Sequence, residues 1–275
     1  GMKKQTALMN HWQLCQYLRK LHLPQVDRRL TCDAEALQDA HLKYVPYENL
    51  DILSGRLTSL EHDDMFAKII MKNRGGICFE LNGLYNWLLE SLGYKVTSYA
   101  ARFIDRLEEY QIRRHRVMCI ELEDKRYLTD VGVNSESPRC PLEMAEGKVQ
   151  SDGICAYKFS RDPFFWTGCC GRRNGETMEK AVLAFTEEQQ LDMDFIRLHY
   201  TDLHPDSPLN KGKAIVLFFA KTAISRYGKF LKFYLGGRVK YRYTINTEYD
   251  LGSAVEYFGI AVDYPLPNGG IDQND

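Results

Sequence analysis

The stretch Arg74–Gly93 reads RGGICFELNGLYNWLLESLG, and the way its first five residues meet the rest decides the fold. Leu81, Leu84, Tyr85, Leu88, Leu89 and Leu92 recur at i, i+3, i+4, i+7, i+8 and i+11, the spacing of one apolar helix face. The pattern predicts a helix running to Ser91 or Leu92 and ended by Gly93. Cys78 then stands in the first turn. Unpaired N–H groups there act as roughly half a positive charge, which favours thiolate over thiol. A free cysteine of pKa ~8.5 is a few per cent ionised at neutral pH, whereas helix N-termini and cationic neighbours bring it to ~3.5–7.5. Gly75 and Gly76 are expected to let the backbone turn sharply and to leave room for a substrate. The plain alternative is a buried cysteine behind a flexible loop.

The residues around this helix give an α+β order. MNHWQLCQYLRKLHL spaces Trp12, Cys15, Leu18 and Leu21 by threes, with Pro24 as the stop. DAEALQDAHLKYVPYENLDIL offers Asp33 as an N-cap and a helix ending before Pro46. From about Val96 the period changes to two, in KVTSYAARF, RVMCIELEDKRYLTDVGV and GICAYKF, which predicts a β-barrel or folded sheet. FTEEQQLDMDFIRLHY reads as a helix leaving it, with Thr186 and Gln189 as a capping pair. KFLKFYLGGRVKYRYTI reads as a hairpin with Gly236-Gly237 at its tip, and NTEYDLGSAVEYFG as a closing helix with Gly259 at its end. The units expected are residues 1–95, helical, 96–205, a barrel, and 206–275, a smaller α/β part.

A net charge of −1 over 275 residues excludes a general affinity for nucleic acid or anionic membrane. No stretch approaches the ~20 apolar residues of a membrane span, the start lacks a signal core, and Gly1 ahead of Met2 looks like a cloning remnant. The eight cysteines form no C-x-x-C pair, and Cys169-Cys170 are adjacent, a poor geometry for chelation. No metal site is expected. Scattered thiols imply a reducing cytoplasm.

A thiolate nucleophile needs a base, and the base an orienting group. Of the seven histidines, His11, His22, His41, His62, His199 and His204 read as packing or surface residues. His115 differs, because it opens HRVMCIEL, whose return strand RYLTD ends at Asp130. In an unbulged hairpin the two share a face only if the loop has an even number of residues. A two-residue loop at Glu123-Asp124 or a four-residue loop at Glu123–Arg126 satisfies this, and a three-residue loop does not.

These pieces together resemble the arylamine N-acetyltransferases. RGGICFELNGLYNWLLESLG, preceded by HLKYVPYENLDI and followed by HRVMCIEL and YLTDVG, carries the likeness, and HPDSPLNKGKAIVL and EYFGI extend it towards the C-terminus. The resemblance implies a helical domain, a β-barrel and an α/β lid around a papain- or transglutaminase-like Cys-His-Asp core. It implies Cys78 as nucleophile, His115 as base and Asp130 as orienting carboxylate, with Arg74, Glu48 and Asn82 bracing the active-site loop. It further implies acetyl-CoA as donor, an arylamine, arylhydrazine or N-hydroxyarylamine as acceptor, and ping-pong transfer through an acetyl-cysteine. The Cys78 backbone N–H is a candidate oxyanion donor.

The acceptor pocket implied by the family falls on Tyr47, Phe103, Gly132, Val133 and Leu209. Tyr47, Val133 and Leu209 occupy positions usually aromatic there, which implies a roomier pocket, since each lost aromatic pair weakens stacking by ~0.5–1.5 kcal/mol. Arg113, within Arg113-Arg114-His115-Arg116, shares the His115 face by strand alternation and is a candidate contact for the CoA phosphates. The same triad also serves thiol hydrolases of the transglutaminase type and amide synthases acting on carrier-bound thioesters. A non-catalytic binding descendant is the remaining alternative.

Overall fold

The computed structural model describes residues 7–104, 110–132, 138–153, 155–172, 180–204, 207, 216–217, 223–227, 230–235 and 238–244. Its largest element is an antiparallel sheet built from β2 (Lys95–Ile104), β3 (Tyr110–Leu122), β4 (Lys125–Thr129), β5 (Leu142–Glu143), β6 (Gln150–Ser151), β7 (Cys155–Arg161), β8 (Trp166–Arg172) and β9 (Lys180–Gln190). The strand order is β5-β4-β3-β2-β9-β8-β7-β6, so the two short edge strands are neighbours in sequence. The side chain of Gln150 joins them. Its Oε1 accepts the Glu143 N–H and its Nε2 donates to the Glu143 carbonyl, both at 2.8 Å. An amide side chain thus supplies bonds that a continuous strand ladder would have made, and the sheet curls into a nearly closed barrel.

Alternation along β3 divides two cores. Val117 and Cys119 face the barrel interior with Tyr99, Leu128, Phe159, Trp166 and Phe185. Met118, Ile120 and Leu122 face outward under the helices. Those helices are α1 (His11–Lys20), α2 (Thr31–Tyr44), the short α3 (Leu50–Leu53), α4 (His62–Phe66), which continues as a π-helical turn at Ala67–Met71, and α5 (Cys78–Ser91). The expected start and stop of α5 hold, with Gly93 at φ +87° after its end. Its environment differs from the expectation. Every residue from Cys78 to Leu89 is buried, so α5 is a central helix packed on all sides rather than an amphipathic one.

Other expectations are corrected. In α1 the buried stripe is Tyr17, Leu18 and Leu21, whereas Trp12 and Cys15 are exposed, because a helix turns 3.6 residues and a spacing of three drifts off its face. Leu30, not Asp33, is the N-cap of α2; Asp33 lies in the first turn and accepts the Asp27 N–H. The Thr186 and Gln189 pair caps nothing. Both belong to β9, paired with β2, and α6 (Asp192–Leu203) begins beyond it, with Asp194 accepting the Leu191 N–H. Farther on, β10 (Val216–Leu217) pairs with β1 (Tyr47–Glu48), and β11 (Ala223–Tyr227), β12 (Phe230–Leu235) and β13 (Arg238–Thr244) form a meander. Leu235 faces Arg238, the register expected for the hairpin. Gly236-Gly237 and the helix expected to end at Gly259 lie outside the described residues. Among the described residues no helix is long and apolar enough to cross a membrane.

His41 sits in the middle of the helical core, fully buried, its Nε2 2.6 Å from the Tyr17 hydroxyl. Burial, with Lys20 nearby, pushes its pKa down to about 3. The unfolded chain takes up this proton below its ordinary pKa of 6.5, and the folded chain does not until about 3, so stability falls as pH drops through that interval. His41→Gln is expected to flatten the dependence by up to about 1.4 kcal/mol per pH unit. Urea unfolding at a series of pH values inside the interval measures that slope.

Candidate active site

Cys78 is the first residue of α5 and is buried, grouped with Phe79, Ala100 and Phe195. Two strips of chain hold it there. Residues 46–48 run alongside 74–76: Tyr47 forms a parallel bridge with Gly76, and the Glu48 N–H donates to the Gly76 carbonyl at 3.0 Å. Neither Gly75 nor Gly76 is among the residues with positive φ. Their role is close approach. A Cβ on Gly75 would fall 2.0 Å from the Pro46 carbonyl oxygen, and one on Gly76 2.7 Å from Glu80 Oε2. The space expected for substrate is taken up by Pro46 and Glu80.

The hairpin turn is the two-residue form. Leu122 pairs with Lys125, and Glu123 and Asp124 both have positive φ, at 49° and 63°. Such a turn matches the strand twist and keeps the parity even. His115 and Asp130 accordingly share a face, and His115 Nε2 lies 2.6 Å from Asp130 Oδ2. Asp130 Oδ1 accepts from Asn82 Nδ2 at 2.8 Å and from the Gly132 N–H at 2.9 Å. The carboxylate can only accept, so the proton between them belongs to Nε2, which in the neutral imidazole leaves the lone pair on Nδ1. Nδ1 is buried and has no hydrogen-bond partner among the described residues.

A β-bulge brings this hairpin to the sulfur. Ala101 pairs with His115 and Arg102 with Arg113, which leaves Arg114 without an opposite number on β2. The Arg114 carbonyl turns towards α5 and accepts from Cys78 Sγ at 3.5 Å. The residue beside the imidazole therefore touches the thiol. The bulge also breaks the alternation on which Arg113 was placed with His115. Arg113 Nη1 instead lies 3.8 Å from Glu188 Oε2 on β9, with Arg113 half-buried and Glu188 exposed. Arg116 does turn away from His115, onto Ser98, Asp192 and the face of Phe195. Burial would raise the Asp192 carboxyl, but His62 and Arg116 hold it at about 2.

Arg74 and Glu48, two of the three residues expected to brace the loop, meet inside a larger cluster. Arg74 Nε donates to Glu48 Oε1 at 3.0 Å, and its Nη2 reaches Asp51 Oδ1 at 2.8 Å. Lys68 Nζ bridges Asp51 Oδ2 and Glu80 Oε1, 2.7 Å from each. Burial works against the Lys68 charge, but Glu80, Glu48 and Asp51 outweigh it and raise its pKa. Asp51, Lys68 and Glu80 carry no signal in the sequence apart from Glu80, which stands three residues after Ile77 where a capping glutamate belongs. Asn82 uses both amide protons and its oxygen: Nδ2 donates to Asp130 and to the Arg116 carbonyl, the latter at 2.6 Å, and Oδ1 accepts from the Val131 N–H at 2.9 Å.

Three of the five expected pocket residues surround this centre. Tyr47 packs with the Cys78 group, the Phe103 ring lies 4.8 Å from that of His115, and a Cβ on Gly132 would fall 2.8 Å from Cys78 Cα. Val133 and Leu209 lie outside the described residues. Among the described residues no group of His, Cys, Asp and Glu is placed to hold a metal.

The two ion pairs predict opposite behaviour. Arg74→Met takes the cation away from the buried Glu48 carboxylate and is expected to cost about 3–5 kcal/mol. Arg113→Ala, at a solvated pair, is expected to cost below about 1 kcal/mol. Urea unfolding of the two variants side by side checks the contrast.

An N-acetyltransferase family model matches residues 34–266. The arylamine N-acetyltransferase of Mycolicibacterium smegmatis is 27% identical over 251 residues, 89% of this chain and 90% of that one. With the Escherichia coli arylamine N-acetyltransferase the identity is 30% over 136 residues, and the match spans only 48% of each chain. Among solved structures, the arylamine N-acetyltransferase from Salmonella typhimurium superposes with a TM-score of 0.85 at 22% identity, over 95% of this chain and 96% of that one. The Mycobacterium marinum arylamine N-acetyltransferase in complex with CoA gives 0.80 at 22% identity, over 90% and 92%. By the breadth of the family match, with the named relatives and folds agreeing, this chain belongs to the arylamine N-acetyltransferase family.

Proposed function

We propose that the protein transfers an acetyl group from acetyl-CoA to an arylamine, arylhydrazine or N-hydroxyarylamine, with Cys78, His115 and Asp130 as its catalytic triad. The observation that carries this reading is the buried Nδ1 of His115. It has no hydrogen-bond partner among the described residues, while Nε2 is bonded to Asp130 on a hairpin whose Arg114 carbonyl touches the sulfur. An imidazole held in that tautomer is a base waiting for a proton.

In the first half-reaction Nδ1 takes the Cys78 proton and the thiolate attacks the acetyl carbonyl of acetyl-CoA. The Cys78 N–H, at the head of α5, helps to hold the oxyanion. The C–S bond to CoA breaks, and its sulfur leaves with the proton from His115. Exchange between two thioesters is nearly isoenergetic, so the acetyl group keeps its reactivity. In the second half-reaction the acceptor nitrogen or oxygen attacks the acetyl-cysteine and gives its proton to Nδ1 as the Cys78 thiolate leaves. Asp130 steadies the imidazolium in both halves.

Arg74, Glu48 and Asn82 brace the loop and the hairpin. Tyr47, Phe103 and Gly132 line the acceptor side. Arg113, with its partly exposed side chain, stays in this reading as a contact for CoA phosphates. Residues 1–95 supply the nucleophile, 96–205 the base and carboxylate, and 206–275 the lid. Free thiols at Cys15, Cys32, Cys119 and Cys140 fit a reducing cytoplasm.

Incubation with acetyl-CoA alone tests the reading. Mass spectrometry is expected to find one added acetyl group, absent in Cys78→Ala and discharged by an arylamine. No adduct, together with hydrolysis of amides, would move the protein to the thiol hydrolases.

A further inference from the structure

We infer that Lys68 is a positioning residue that keeps the head of α5 electropositive for Cys78, by neutralising the Glu80 carboxylate that caps the same turn. This rests on the reading of Cys78 as the nucleophile and goes one step behind it.

The difficulty it answers is local. Glu80 is buried, with its Oε2 accepting the Ile77 N–H at 2.9 Å. That bond fixes the loop just ahead of the sulfur. It also places a full negative charge, out of reach of solvent, in the turn whose partial positive charge should favour a thiolate. Like charges within a few ångströms oppose one another's ionisation, so an uncompensated Glu80 would raise the Cys78 pKa. Lys68 Nζ sits 2.7 Å from Glu80 Oε1, only 16% exposed, and is tied on its far side to Asp51 at 2.7 Å. It comes from the π-helical turn at Ala67–Met71, an irregularity common at functional sites.

The surrounding charges do not duplicate this role. Arg74 is engaged by Glu48 and Asp51. From β3, Arg114 lies over Phe103 and bonds Gln111, His115 faces Asp130, and Arg116 is paired with Asp192 at the start of α6. The remaining side chains grouped with Cys78 are the apolar Phe79, Ala100 and Phe195, with Tyr47, Leu60 and Leu198 at the margin. Among the described residues Lys68 is the cation in contact with Glu80, and the positive end of α5 is left for the sulfur.

The test reads the sulfur directly. The rate at which iodoacetamide modifies Cys78, followed in its own peptide by mass spectrometry against pH, gives the thiol's midpoint. Lys68→Met is expected to raise it by roughly one pH unit, with alkylation about ten-fold slower below both midpoints. Lys68→Arg should leave it near the parent, Glu80→Gln should lower it, and the Lys68→Met/Glu80→Gln pair should return most of the shift. A merely structural lysine would not be rescued by removing its partner's charge. An unmoved midpoint in Lys68→Met, or in Glu80→Gln should Lys68→Met not fold, overturns the assignment. The acetylated residue, mapped in the same digests after acetyl-CoA, keeps the two readings apart. Acetyl on Cys78 with an unmoved midpoint sinks the Lys68 assignment alone, whereas acetyl on another residue ends the nucleophile reading and this one with it.

Discussion

The amide of Asn82 is the fastening on which the site depends. It projects from the second turn of a helix and binds a β3 carbonyl, the Asp130 carboxylate and the Val131 N–H at once. The sulfur belongs to that helix and the imidazole to that hairpin, so their meeting is a tertiary event that no local propensity supplies. A buried amide with all of these groups satisfied fixes one register between helix and hairpin. A slip of one residue would strand several polar groups at about 1–3 kcal/mol each. Gly132 then permits the approach, because any side chain there would strike Cys78 and Asn82.

Parts of this arrangement were legible beforehand because they depend on neighbours in sequence. The extent of α5 followed from its apolar spacing and from Gly93. The pairing of His115 with Asp130 followed from parity once the turn was known, although the sequence left two-, three- and four-residue turns open. Both φ angles at Glu123-Asp124 are positive, without a glycine to announce it. What was illegible required knowledge of partners. The drift of the α1 stripe, the all-round burial of α5 and the reason for Gly75 and Gly76 each depend on what packs opposite. The bulge at Arg114 was the most consequential miss. It inserts one residue into β3 and thereby turns a carbonyl onto the thiol and Arg113 off the face predicted for it.

The buried charges show why a motif is a poor guide to its own support. Arg74 and Glu48 were visible as motif residues, yet they are two members of a group of five in which three carboxylates face two cations. A lone buried pair would be costly, since desolvation rivals its Coulomb gain. Here the third carboxylate is balanced by backbone N–H groups. Glu48 takes the Leu50 N–H as well as Arg74, and Glu80 takes the Ile77 N–H as well as Lys68. Those N–H groups stand at helix starts, where they have no partner within the helix. The cluster therefore spends its excess negative charge on helix termini.

That choice bears on the chemistry. A cysteine at a helix head competes with every carboxylate that caps the same head, because both draw on one partial positive charge. A capping glutamate is the ordinary way to fix the loop that precedes a helix, and a loop fixed in this way is what a precisely placed nucleophile needs. Rigidity and acidity of the thiol thus pull against each other within a single turn. A buried cation on the outer face of the glutamate separates the two demands: the carboxylate can hold the loop through one oxygen while its charge is met through the other. The same reasoning explains the depth of the cluster, for in water the competing fields would be screened and the lysine would have little to do.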